Sequence, residues 1–325
     1  MNLDIPDAQR LALLLRTTPR ELNGVLRRAD DFYDELVVHD PRKPDKPRHV
    51  VSARGKLRTL QQRFHADVLS TLYRSPHSHG GVRGRSVLTN VAPHLGQRFV
   101  FTTDIANFYP SIHRERGARL FAGLGCSVEV ARLCTRLCTF RHRLEQGLVT
   151  SPALADQLLR PVDDRIAGAC AKLGLTYTRF VDDLAISAPF DLDASGIPHL
   201  VHTILTEHGF RPHPDKTSFE AVERDASIAG VRFRNGHPDV RRDYVAEVER
   251  QLKDAASLAE GGEFVGPYLT ESQMRGKVHF VTWVNPGRKR QLFALLKKID
   301  WLKVSEQGRT RGLVANRRKV MAGGK

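Results

Sequence analysis

Cysteine is scarce in this sequence, long apolar runs are missing, and nothing repeats. Cys126, Cys134, Cys138 and Cys170 are the only cysteines among 325 residues. None forms a C-x-x-C pair and no histidine stands at zinc-ligand spacing from them, so a zinc site is excluded there. Cys134 and Cys138, four apart on one helical face, read as buried apolar thiols. His77, His79 and His94 lie close together in the chain but have no cysteine or acidic ligand beside them, which argues against zinc a second time. No apolar stretch approaches the roughly 20 residues that cross a bilayer. Leu11 to Leu15, the longest candidate, is too short and follows acidic residues, so it does not read as a signal peptide. The expected location is the cytoplasm, with no membrane partner.

What is present describes an ordinary globular chain: 41% hydrophobic and 7% aromatic residues, enough for one large domain or roughly two to three small ones. Its charge is less ordinary. Lys and Arg total 51 against 36 acids, a formal net charge of +15. Such an excess favours a polyanionic partner, nucleic acid before an acidic membrane surface. Basic residues are dense from Arg288 to Lys325, with Phe293 and Trp301 interleaved. That distribution suits a surface tracking a phosphate backbone.

The first forty residues read as two helices, the second entered through Pro19. A basic, Pro-rich loop follows, Pro41 to Pro47, then a short strand from Arg48 to Ser52 and an amphipathic helix from Gly55 to Leu72. The stretch His79-Gly-Gly-Val-Arg-Gly-Arg85 reads as a loop opening a helix near Ser86. Arg98 to Thr103 is an apolar strand ending at Asp104. Ser111 to Cys138 reads as mostly helical, and Ser151 to Leu173 as one long helix. Thr176 to Val181 and Leu184 to Ser187 are short apolar strands separated by Asp182-Asp183, the tightest hairpin connection. A helix is expected from Ala194 to His208, then short strands through Phe233, then helices near Arg242–Leu258, Tyr268–Val284 and Gly287–Leu302. Strands confined to the middle, with helices before and after, give an α+β class.

Three Asp-Asp pairs occur. Asp30-Asp31 and Asp163-Asp164 sit in polar helical stretches and read as solvated faces. Asp182-Asp183 alone is flanked by apolar strand residues on both sides. Two carboxylates forced together in a hairpin repel each other, and a bare turn has cheaper residues, so a compensating positive charge is expected. Asp104 ends another apolar strand. One carboxylate from a strand end and two from a hairpin make an oxygen-rich set that suits Mg²⁺. Two such ions about 3.5–4 Å apart serve in-line phosphoryl transfer.

Asp104-Ile-Ala-Asn-Phe-Tyr-Pro-Ser-Ile112, Gln146-Gly-Leu-Val-Thr-Ser-Pro152, Phe180-Val-Asp-Asp183 and Gly209-Phe-Arg-Pro-His-Pro-Asp-Lys-Thr217 resemble, in order, the signature blocks of reverse transcriptases. Bacterial retron enzymes are the nearest likeness within that family. Asn90-Val-Ala-Pro-His94 is similar to their Asn-Ala-x-x-His pattern except at Val91. Ala229-Gly230 keeps only part of their Val-Thr-Gly mark, and Phe180 replaces the usual tyrosine, which removes no metal ligand.

The resemblance implies a right-hand polymerase: fingers over 1–97, a palm with a small antiparallel sheet over 98–233 that includes a helical insertion at about 113–145, and a helical thumb with a basic tail over 234–325. It implies an RNA-directed DNA polymerase with two Mg²⁺ held by Asp104, Asp182, Asp183 and the Ile105 carbonyl. Arg48, with Lys46 or Lys43, would meet the incoming triphosphate, the rival reading of each lysine being a solvated basic loop. Tyr109 would be the steric gate against ribonucleotides, or else a core aromatic. Gln146 and Gly147 would lie beneath nucleotide and template, and Lys216 would support departing pyrophosphate. Asn90 and His94 read either as packing the fingers onto the palm or, with Gly230, as marks of RNA recognition. Partners implied are a structured noncoding RNA serving as template and primer, its branched DNA product, deoxynucleoside triphosphates and a separately encoded effector in anti-phage defence. The alternatives are another defence-associated or abortive-infection reverse transcriptase, including a template-independent one, and an inactive RNA-binding relative.

Overall fold

Alternation along two strands decides how the molecule is layered. In β3 (Phe99–Asp104) and β5 (Asp183–Ala188), neighbouring residues point to opposite faces of one sheet. Phe101 and Ile186 belong to one hydrophobic cluster, Val100 and Ala185 to another. The sheet therefore lies between two cores, and the strand ends that carry acids emerge at its edge.

The computed structural model describes residues 2–40, 43–192, 196–224, 226–234, 236–313 and 319–320. The chain begins with helices α1 (Ala8–Leu14) and α2 (Pro19–Arg27), the latter capped where the Glu21 N–H donates to Thr18 Oγ1 at 3.2 Å. Strands β1 (Tyr33–Asp40) and β2 (Lys43–Ala53) form an antiparallel hairpin. Helices α3 (Gly55–Asp67) and α4 (Val87–Val91) precede β3. Then come α5 (Arg114–Gly123), α6 (Val128–Cys138) and α7 (Ser151–Lys172), the hairpin of β4 (Thr176–Phe180) with β5, and α8 (Ile197–Glu207). Short strands follow: β6 (Ser218–Ala221), β7 (Ser227–Ile228), β8 (Val231–Arg234) and β9 (His237–Val240). The rest is helical, α9 (Arg242–Ala259), α10 (Glu271–Val284), α11 (Lys289–Lys298) and α12 (Trp301–Thr310), except that β10 (Lys319–Val320) pairs with β1. The central sheet is antiparallel in the order β4-β5-β3-β6. This is the expected α+β class, mixed helices with small antiparallel sheets.

The first core gathers α1–α3, α5–α7 and one face of the central sheet, with Leu11, Leu57, Phe64, Phe121, Leu154 and Phe210 buried. The second gathers the opposite sheet face, β7–β9 and α9–α12 around Phe233, Val248, Leu252, Val278 and Leu292. No helix among the described residues is long and apolar enough to cross a membrane.

Several expectations need correction. Residues 33–40 are strand, not helix, so strands are not confined to the middle of the chain. Lys43 to Pro47, read as loop, belongs to β2: Lys43 pairs with Asp40 and Arg48 with Val38, and the segment between them spans an irregularity in the ladder. The single helix expected over Gly287–Leu302 is two, because Asp300 turns the chain and caps α12 through the Leu302 and Lys303 N–H groups at 3.2 Å. The expected start of α8 at Ala194 lies outside the described residues. Asp163 is not on a solvated face: it is fully buried against Arg179 on β4, while Asp164 is exposed as expected.

Candidate active site

Antiparallel pairing of β3 with β5 sets Asp104 directly opposite Asp183. Phe180 pairs with Asp183 across β4 and β5, so the two-residue turn is Val181-Asp182. The turn is thus shifted one residue from the Asp182-Asp183 connection that the sequence suggested. Asp183 is the first residue of β5, and the Ile105 N–H reaches back to the Asp182 carbonyl at 3.2 Å, tying turn to strand end.

One ligand atom from each of Asp104, Asp182 and Asp183 lies within 4.8 Å of the others. Asp104 is buried, and the other two are partly so. Burial pushes the Asp183 carboxyl up to about 7, and the charges of Asp182 and Asp104 and a hydrogen bond to Asp104 push the same way. Burial, then the Asp104 charge, also raises Asp182, against the lowering pull of Lys216 and Arg48. Lys216 Nζ donates to Asp104 Oδ2 at 2.7 Å and offsets part of the crowding. Three oxygen donors that resist shared ionisation fit a divalent cation, whose charge removes the repulsion.

A pH effect follows. Between the ordinary carboxyl value of 3.8 and about 7, the folded protein keeps a proton that the unfolded chain releases. Stability of the cation-free protein therefore falls as pH rises through that window. A cation binding the ionised triad competes with the proton and reverses the loss. Saturating MgCl₂ should raise the melting temperature more at about pH 8 than at about pH 5. Equal shifts at the two values would remove Asp183 from the cation site.

The other predicted residues are distributed around this centre. Tyr109 is half-buried, its ring 5.0 Å from that of Phe108. Burial and the nearby Asp182 charge raise its hydroxyl to about 12. Arg48 is exposed on β2, and its charge acts on Asp182. Lys46 is on the same strand, but the side chains of Lys43 and Lys46 lie outside the described residues. Gln146 accepts the Val51 N–H on its carbonyl at 2.8 Å. Gly147 has φ +103°, and a Cβ there would meet Val50 Cγ1 at 2.5 Å and the Val51 carbonyl at 2.7 Å, so only glycine lets this segment dock on β2.

Asn90 and His94 are fully buried. His94 bridges the hairpin, with Nδ1 2.6 Å from Ser187 Oγ on β5 and Nε2 2.7 Å from Thr178 Oγ1 on β4. Burial pushes its imidazole down to about 3 and keeps it neutral. This geometry is that of packing α4 and its successor turn onto the sheet; neither side chain faces solvent. Gly230 and Ala229, with φ of +80° and +48°, form the two-residue turn between β7 and β8.

Sequence reasoning missed Arg179, Asp156, Asp163 and Gly80, which surround the turn from behind. A signal existed. Arg179 interrupts an otherwise apolar strand and requires a buried acid, and Asp156 and Asp163 stand seven apart on one face of α7.

An acidic triad at the edge of a small antiparallel sheet, with a lysine on one carboxylate, has the donor set to hold divalent cations and is the class of site that suits phosphoryl-transfer enzymes. Residues 40–241 match the family model of reverse transcriptases (RNA-dependent DNA polymerases), and the chain belongs to that family. It is similar to the retron Ec86 reverse transcriptase of Escherichia coli, 25% identical over 271 residues that cover 83% of this chain and 82% of that protein. The retron Mx162 enzyme of Myxococcus xanthus is 27% identical over 327 residues, 92% of this chain and 67% of the relative. The retron Mx65 enzyme of the same organism is 32% identical over 209 residues, 59% and 49% respectively.

Proposed function

We propose that this chain is the RNA-directed DNA polymerase of a retron, copying part of a structured noncoding RNA into single-stranded DNA that stays joined to the RNA (msDNA). The observation that carries the chemistry is the convergence of Asp104, Asp182 and Asp183 ligand atoms within 4.8 Å. Similarity to retron enzymes over as much as 92% of the chain carries the subclass. Residues 1–97 are assigned to fingers, 98–233 to a palm with its helical insertion at 113–145, and 234–325 to a thumb with a basic tail.

Two Mg²⁺ ions, held by the three aspartates and the Ile105 carbonyl, would activate the attacking hydroxyl and stabilise charge on the leaving pyrophosphate. The chain supplies the rest. Arg48 and Lys46 on β2 meet the triphosphate; a guanidinium fork suits phosphate oxygens. Tyr109 closes the space beside the sugar C2′. Gln146 and Gly147 form the floor under nucleotide and template. Lys216 donates to the departing pyrophosphate; its 2.7 Å bond to Asp104 supports that role. Basic surface on fingers and thumb grips A-form duplex through phosphates and 2′-hydroxyls, with little reading of sequence. A net charge of +15 supports that grip. Anti-phage defence through a separate effector protein completes the reading.

Purified protein given its noncoding RNA, Mg²⁺ and the four deoxynucleotides should yield DNA covalently attached to RNA, of a sequence set by the template. A 2′-deoxy substitution at the branching nucleotide should abolish that product. Extension whose sequence ignores the template would favour the template-independent abortive-infection class, and absence of extension an inactive RNA-binding relative.

A further inference from the structure

The turn that presents Asp182 adopts a conformation its own residues do not favour. Val181 has φ +62°, a left-handed value that a β-branched side chain resists. Such a residue persists only when its surroundings over-determine it. Three features do so here.

The first is Gly80. It is buried, and a Cβ at this position would come within 2.4 Å of Val181 Cγ2 and 2.5 Å of the Val181 nitrogen. Only glycine lets the loop lie this close beneath the turn. The second is the loop's attachment to β4: the His79 N–H donates to the Arg179 carbonyl and the Arg179 N–H to the His77 carbonyl, both at 2.7 Å. The third is the Arg179 guanidinium. Its Nη1 donates to the Val181 carbonyl at 2.8 Å. Its Nε and Nη2 fork onto Asp163 at 2.8 and 2.7 Å, and Nη2 also reaches Asp156 at 2.8 Å. Asp156 in turn accepts from Arg74 at 3.0 Å and from the Ser78 hydroxyl, and Asp163 from the Tyr177 hydroxyl at 2.8 Å.

Arg179 is 1% exposed and its two acids 4% and 0%. Burying ions at such depth costs desolvation, so a network of this kind is a poor source of net stability. Its hydrogen bonds do fix a geometry. A guanidinium anchored to α7 by two carboxylates cannot turn, and its Nη1 holds the peptide oxygen one residue before Asp182.

We infer that Arg179 and Gly80 are positioning residues of the catalytic centre: the buried Arg179–Asp156–Asp163 network and the glycine-floored loop 77–81 hold the strained Val181 turn, and with it the placement of Asp182 and Asp183 against Asp104. Neither residue is assigned contact with substrate. Mg²⁺ requires near-ideal octahedral geometry, so a turn displaced by a fraction of an ångström binds it less well.

This rests on the polymerase reading and is tested by Gly80→Ala in the full-length protein. Expected are a kcat reduced about 100-fold, the scale of a roughly 1 Å misplacement, and a higher Mg²⁺ concentration for half-maximal extension. Affinity for primer–template duplex measured without Mg²⁺ should stay as in the wild type. Arg179→Lys, which keeps the charge but cannot span Asp163 and the Val181 carbonyl, should shift the Mg²⁺ dependence the same way. Wild-type Mg²⁺ dependence in either folded variant overturns the inference. So does loss of the folded state in both, since the network would then serve folding alone. Failure of the wild-type protein to extend a primer would instead strike the polymerase reading.

Discussion

Asp182→Asn should abolish template-directed DNA synthesis, lowering kcat by at least about 1,000-fold, the equivalent of the several kcal/mol that metal-assisted charge stabilisation supplies. Asp182 shares a space of under 4.8 Å with Asp104 and Asp183, and no other acidic group joins that cluster among the described residues. The amide keeps the size of the side chain while removing the charge and one oxygen. Its effect on folding should run the opposite way. Repulsion from the Asp182 charge helps raise Asp183 to about 7, so the amide relieves a penalty of the cation-free protein. The variant should melt no lower than wild type at neutral pH without Mg²⁺ and gain less from adding it. Primer extension at single-nucleotide resolution, with calorimetry with and without Mg²⁺, separates the two effects. Wild-type extension by this variant would dismiss the triad as the catalytic centre.

Tyr109→Val should open the site to ribonucleotides. Its ring is braced rather than loose: half-buried, 5.0 Å from Phe108, and close enough to Asp182 for that charge to raise its hydroxyl to about 12. Phe108 stacks further on Phe210, at 6.1 Å, so the wall behind Tyr109 is core. On the proposed placement of Tyr109 beside the sugar, a fixed aromatic wall excludes a 2′-hydroxyl by volume. Shortening it should cut the ratio of kcat/KM for deoxy- over ribonucleotides about 100-fold, near the limit of what shape alone discriminates. The change should lie in ribonucleotide KM and kcat, with deoxynucleotide kcat falling by less than about tenfold. Incorporation of single nucleotides measures both. An unchanged ratio would return Tyr109 to the role of a packed aromatic.

Much of the site could be read from the chain because its chemistry leaves a mark on local pattern. Asp104 and the Asp182-Asp183 pair terminate apolar strand runs, and acids at such places demand compensation wherever the strands lie. The core helices could be read for a similar reason: periodic apolar residues in α7, α9 and α10 need only a face to bury. The failures share a cause. Residues 33–38 became strand because they found 48–53 as partner, with Asp40 pairing Lys43 beyond an irregularity, and local propensity does not report a partner. Asp163 looked like half of a solvated pair because it stands beside Asp164 in a polar helical stretch. What buries it is Arg179, and the pairing exists only once α7 packs under β4. His94 had two readings, packing or RNA recognition, and its contacts became visible only when the sheet supplied hydroxyls to both of its ring nitrogens.

By itself the sequence carried the kind of chemistry: the strand-end carboxylates that collect, a donor set fit for a cation, and a charge excess that favours a polyanionic partner. Charge and oxygen donors act through their identity, and identity is written residue by residue. Tertiary structure alone decided the placement: the turn at Val181-Asp182, the lysine on Asp104, and the guanidinium behind the hairpin. Each depends on distant segments meeting at distances of about 3 Å, the range in which hydrogen bonds and ion pairs act.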